Sequence, residues 1–132
     1  IENNLEKFIT FLGTIKNVEL PKIINSMDIY VSSSISDAGI AASTAEAMSC
    51  ECLCIVSNVF DNKEWIIDGK NGFLFKANDP SDLSNKILNA IEYLKSNKSE
   101  IQKNARKIIL ANNSYKNEMF KMEKVICNIL KS

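Results

Sequence analysis

The sequence predicts an α/β fold: a Rossmann-like parallel sheet with helices on both faces and a helical carboxyl terminus. Three observations carry this. Strand-like and helix-like segments alternate along the first 75 residues, the pattern of a parallel sheet joined by crossover helices. Residues 53–56 (LCIV) form an unbroken apolar run, as expected of a strand buried on both faces. From Asp79 onward the pattern turns helical, with Leu83, Ile87, Ala90, Ile91 and Leu94 on one stripe.

The elements follow in order. Residues 7–12 (KFITFL) read as a first strand ending at Gly13. Residues 20–27 (LPKIINSM) have apolar residues at helical spacing and Pro21 near the start, where proline is tolerated. Residues 28–31 (DIYV) read as a second strand and residues 43–50 as a helix. After the buried strand, residues 62–67 (NKEWII) suggest a helical turn. Gly69 and Gly72 bracket a tight turn in DGKNG, and residues 73–75 form the last strand. Asp79-Pro80 is a helix opening, an N-cap acid followed by proline. Ser99 with Gln102 reads as a capping box for a helix carrying Ile101, Ala105 and Ile108. A final helix after Ser114 should turn Phe120, Val125 and Ile129 inward.

Length and charge narrow the function classes. The 132 residues suffice for one domain with a real core. With 16 basic against 16 acidic residues, the formal charge is zero, which argues against a nucleic-acid or membrane-surface binder. No apolar run approaches the roughly 18–20 residues that span a bilayer. No secretory signal is visible, and the expected compartment is the cytoplasm. Cys50, Cys52 and Cys54 alternate too closely for a disulfide framework, and there is no histidine to complete a zinc site. Buried reduced thiols, no metal and no cofactor are expected. The chain opens at Ile1 without a methionine, which suggests a fragment truncated on its amino-terminal side.

In open parallel sheets, ligands bind at the carboxyl ends of the strands. Two junctions qualify, the turn after Leu12 and the loop after Val31. The second runs SDAGIAASTAEAM, from Ser36 to Met48. Gly39, Ala41 and Ala42 leave room for a phosphate to reach the bare N–H groups of a helix start. The same small residues also suit close helix–sheet packing. Glu46 carries two readings as well. Ser43-Thr44-Ala45-Glu46 fits a capping box, and a carboxylate there equally suits the two hydroxyls of a ribose. Asp37 beside a diphosphate would be repelled by roughly 1–4 kcal/mol. It should therefore face sugar hydroxyls or close an Asx-type turn.

The order of these residues resembles the carboxyl-terminal half of retaining glycosyltransferases of GT-B fold, the "group 1" family. Glu46-Ala47-Met48 matches the second glutamate of that family's E-x7-E motif and its neighbours. The run from Glu64 to Leu74 (EWIIDGKNGFL) matches a later family stretch, and Phe11-Leu12-Gly13 resembles its strand-glycine beside the base. The resemblance implies that residues 1–132 are the donor-binding domain of a hexosyltransferase, using a nucleoside-diphosphate sugar and a glycan or lipid-linked acceptor. It places such an enzyme in polysaccharide biosynthesis. It gives Glu46 the ribose hydroxyls, puts the backbone of Ala38, Gly39, Ile40 and Ala41 against the donor sugar and diphosphate, and sets Thr14 and Ile15 beside the base. It also implies partners: an amino-terminal domain that closes the cleft, and peripheral membrane association of the full enzyme.

The chain departs from the family pattern in two places. Eight residues before Glu46 stands Ala38, where the family has its first glutamate, and Asp37 lies one residue earlier. The family's glycine and proline after Ala-Met are Glu51 and Leu53 here. The domain alone is expected to be inactive, since half of the cleft is missing. The competing reading is a non-catalytic module that binds a nucleotide sugar or a partner chain without turnover.

Overall fold

The computed structural model describes residues 5–36, 39–59, 61–112 and 114–130. Its sheet has three parallel strands in the order β1 (Ile29–Ser32), β2 (Leu53–Ser57) and β3 (Phe73–Phe75). Register runs Ile29 against Leu53 and Ile55 against Phe73. The helices are α1 (Leu20–Ile24), α2 (Ala42–Ser49), α3 (Asn62–Trp65), α4 (Pro80–Lys95), α5 (Glu100–Asn112) and α6 (Tyr115–Leu130).

The central strand β2 is buried along its whole length, as its unbroken apolar run predicts. Successive side chains of a strand point to opposite faces. Cys52, Cys54 and Val56 accordingly join a cluster with Ala45 and Met48 of α2 and Ala105 and Ile109 of α5. Leu53 and Ile55 join a second cluster with Phe75, Ala90 of α4 and Ile101. The sheet is thus covered on both faces. Asp79 caps α4 as expected, its Oδ1 accepting from the Asp82 N–H at 3.0 Å, with Pro80 in the first turn.

Four expectations are corrected. Residues 7–12 form no strand: Glu6–Phe8 is a 3-10 turn, and Phe8 and Phe11 are exposed. A strand requires a ladder partner, and the described residues offer this segment none. Second, α6 buries no residue, so Phe120, Val125 and Ile129 face outward at 57%, 58% and 66% exposure. Its periodicity specifies a helix without supplying anything to cover it. Third, Gln102 is buried, but its Oε1 accepts no hydrogen bond among the described residues, so it does not reach back to Ser99. Fourth, Ile91 of the α4 stripe is 39% exposed. The cluster on that face closes over Leu83, Ile87, Ala90 and Leu94.

The end of α2 shows how glutamate is held at position 51. Glu51 has φ 57°, the left-handed region that usually favours glycine. The Cys52 N–H bonds Ala47 O at 3.0 Å and the Glu51 N–H bonds Met48 O at 3.2 Å, which together make a Schellman turn. Arg106 supports it from α5, donating Nη1–H to Ser49 O at 2.8 Å with its Nε 3.8 Å from Glu51 Oε1.

The thiols of β2 give a pH signature. Burial above all, with the nearby Asp28 and Cys50, pushes the Cys52 thiol from 9.0 up to about 11. Burial likewise raises Cys54. A thiol whose folded pKa is raised favours the folded state fully below its unfolded pKa and loses that contribution as pH rises. The urea midpoint should therefore fall between about pH 9 and pH 11 and fall less in Cys52→Ala. Native alkylation followed by mass spectrometry should label exposed Cys127 and spare Cys52 and Cys54 until the chain unfolds.

Candidate functional site

The three strands end together, and the loops leaving them are tied to one another. Ser57 Oγ donates to Ser34 O in the loop after β1. Asn62 Nδ2 donates to Ser57 O at 3.0 Å, and the Asn58 N–H to Phe75 O at 2.8 Å. The Gly39 N–H donates to Asp61 Oδ2 at 2.7 Å, which joins the loop after β1 to the loop after β2. The carboxyl edge is a fixed rim.

Helix α2 rises from this rim without a side-chain cap. Its N-cap is Ala41, with φ −58° and ψ 139°, so Ser43 already lies inside the first turn. The Ser43 hydroxyl accepts from Tyr30 OH at 2.9 Å. The capping-box reading of Glu46 therefore fails, because the box position of this helix is Thr44 and Glu46 lies two residues beyond it. The N–H groups of Ile40 and Ala41 find no acceptor among the described residues. These donors and the helix dipole make the site attractive to an anion.

Glu46 is exposed on α2, and its carboxylate makes no hydrogen bond or ion pair among the described residues. It lines a groove of about 380 Å³ between α1 and α2, with Asn17, Leu20, Pro21, Ser49 and Ile109. That volume lies in the range of small-molecule sites, roughly 300–1,000 Å³. A larger hollow of about 760 Å³ runs along the open face of α6 and is lined by that helix alone.

The structure brings together only some of the residues singled out from sequence. Gly39, Ile40 and Ala41 lie on the rim and Glu46 in the groove. The Gly39 amide, however, is committed to Asp61. Thr14 is exposed and Ile15 half-buried in the loop before α1, and the groove is lined instead by Asn17 from that loop. Asp37 and Ala38 lie outside the described residues. Asp61 and Asn17 carried no signal in the sequence. An aspartate before a helix reads as its cap, and Asn17 belongs to no motif.

Residues 2–108 match the sequence profile of the family described as Glycosyl transferases group 1. The chain belongs to the group 1 glycosyl transferases. An uncharacterized glycosyltransferase of Methanocaldococcus jannaschii is 31% identical over 93% of the chain, which spans 31% of that relative. Among solved structures, sucrose-phosphate synthase from Thermosynechococcus elongatus superposes with a TM-score of 0.87 at 23% identity, over 97% of this chain and 32% of that one. Anabaena HepE in complex with UDP superposes at 0.84 and 22% identity, over 94% of this chain and 33% of that one. These two likenesses speak for the fold, the Rossmann-like half of GT-B enzymes. This glycosyl transferase chain spans about a third of the length of each of these three relatives. Among its described residues no helix is long and apolar enough to cross a membrane, and no cluster of three or more His, Cys, Asp or Glu could hold a metal ion.

Proposed function

We propose that residues 1–132 form the donor-binding domain of a retaining hexosyltransferase. The nucleoside would lie in the α1–α2 groove, with Glu46 accepting hydrogen bonds from both ribose hydroxyls and the diphosphate on the amides ahead of α2. One observation supports this above others. Glu46 is a carboxylate without a partner among the described residues, lining a groove one turn from a bare helix start. HepE was solved with UDP and with UDP-glucose, which agrees with a nucleotide-sugar donor.

Catalysis would consist of holding the donor in place and stabilising charge on the leaving diphosphate. The acceptor, a glycan or a lipid-linked sugar on the cytoplasmic side, would be held by an amino-terminal domain. Without that domain the chain should bind donor but not transfer it. The test is thermal stabilisation by UDP, GDP and ADP. A nucleotide at 100 times its dissociation constant should add about 2.7 kcal/mol. No shift with any of the three would overturn the proposal.

A further inference from the structure

The aspartate that opens α3 does not serve α3. Asp61 stands at its N-cap position, yet its side chain makes no cap hydrogen bond there. The carboxylate instead crosses to the loop after β1, where Oδ2 accepts the Gly39 N–H at 2.7 Å. Asp79 shows the ordinary alternative, spending its Oδ1 on the amide of its own helix. Asp61 is half-buried and pairs with no cation among the described residues. Its second oxygen, Oδ1, accepts no hydrogen bond among them either.

A carboxylate held by one oxygen presents the other as a fixed acceptor. Its negative charge repels a diphosphate, so on a nucleoside-diphosphate sugar it can serve only the uncharged hydroxyls. Glu46 lines the groove between α1 and α2, the free amides of Ile40 and Ala41 lie at the start of α2, and Asp61, in the loop after β2, holds the Gly39 amide just ahead of them. A nucleoside-diphosphate sugar with its ribose at Glu46 and its diphosphate on those amides would bring its sugar ring toward the Gly39–Asp61 contact. From this we infer that Asp61 is a specificity-determining residue for the donor sugar, with Oδ1 accepting from ring hydroxyls while Oδ2 keeps the Gly39 loop in place. This rests on the nucleotide-sugar reading above.

The test is calorimetric titration of the full protein with UDP, GDP and ADP, and with the glucose and mannose conjugates of whichever nucleotide binds. In Asp61→Ala, which also frees the Gly39 loop, affinity for the preferred nucleotide sugar should fall at least tenfold more than affinity for the bare nucleotide. Asp61→Asn keeps an acceptor for Gly39 and loses the charge, so it should show a smaller loss confined to the sugar conjugate. Tighter binding of both ligands in Asp61→Ala would show the carboxylate to be a resident anion that blocks the site, and would overturn the inference. Equal weakening of both would reduce Asp61 to a loop anchor and overturn it too. In either case wild-type nucleotide binding stands. Failure of the wild type to bind any nucleotide sinks both readings.

Discussion

Replacing Glu46 with alanine should weaken nucleotide binding by roughly 30- to 1,000-fold and leave the fold intact. Hydrogen bonds to a charged group contribute about 1.5–3 kcal/mol each, and a carboxylate that clasps a vicinal diol makes two that share one charge. A combined loss of about 2–4 kcal/mol corresponds to that range. Stability should barely change, because Glu46 is exposed, caps nothing and pairs with nothing among the described residues. Titration with the ribonucleotide and its 2′-deoxy form separates the ribose role from a general electrostatic one. If Glu46 accepts from the diol, the deoxy ligand binds wild type more weakly, and Glu46→Ala costs it less than it costs the ribonucleotide. Equal losses for the two ligands would remove Glu46 from the ribose.

The parts of this molecule legible in its sequence are those settled by local chemistry. LCIV reads as a buried central strand because burial on both faces leaves no polar position to break the run. Asp79-Pro80 reads as a helix start because cap and proline act within one turn. Residues 7–12 have equally strand-like composition, yet a strand is made by its neighbour, and composition does not report one. The face of α6 poses the same problem. Phe120 and Val125 recur at helical spacing, but spacing does not say what they meet. At the candidate site the decisive contacts join residues far apart in the chain. Tyr30 takes the Ser43 hydroxyl from thirteen positions away, and Asp61 takes the Gly39 amide from twenty-two. Glu46 could be singled out from its motif, but its release from capping became visible only when α2 was seen to start at Ala41.

The largest stability loss from a single polar change should come at Asn71, in the DGKNG turn. Asn71 is 1% exposed. Its Oδ1 accepts the Ile67 N–H and its Nδ2 donates to Trp65 O, both at 2.7 Å. One amide thus satisfies two backbone groups where the chain leaves α3 and turns into β3. Around it, the Gly69 N–H bonds Gly72 O at 2.8 Å, and Asp68 accepts the Leu74 N–H at 2.9 Å and Lys86 Nζ at 2.6 Å. A side chain on Gly72 would meet Cys54 O at 3.1 Å, so this turn sits hard against β2 and has little room to rearrange. Asn71→Ala strands a donor and an acceptor at a cost of about 1–3 kcal/mol each, partly relieved by water, for a net loss of roughly 2–4 kcal/mol. That should lower the melting temperature by on the order of 10 °C in a chain of this size. Asn71→Asp discriminates further. At neutral pH the carboxylate still accepts from Ile67 but faces the Trp65 carbonyl without a proton to give, so the variant should be at least as unstable. Protonation restores a donor. The folded-state pKa of the new carboxyl is therefore raised, and the lost stability should return in part as pH falls below that raised value. Urea titrations of both variants from pH 4 to pH 8 would show this crossing. Parallel curves for alanine and aspartate across that range would mean that the turn is held by Gly69, Asp68 and the sheet alone, with Asn71 a bystander.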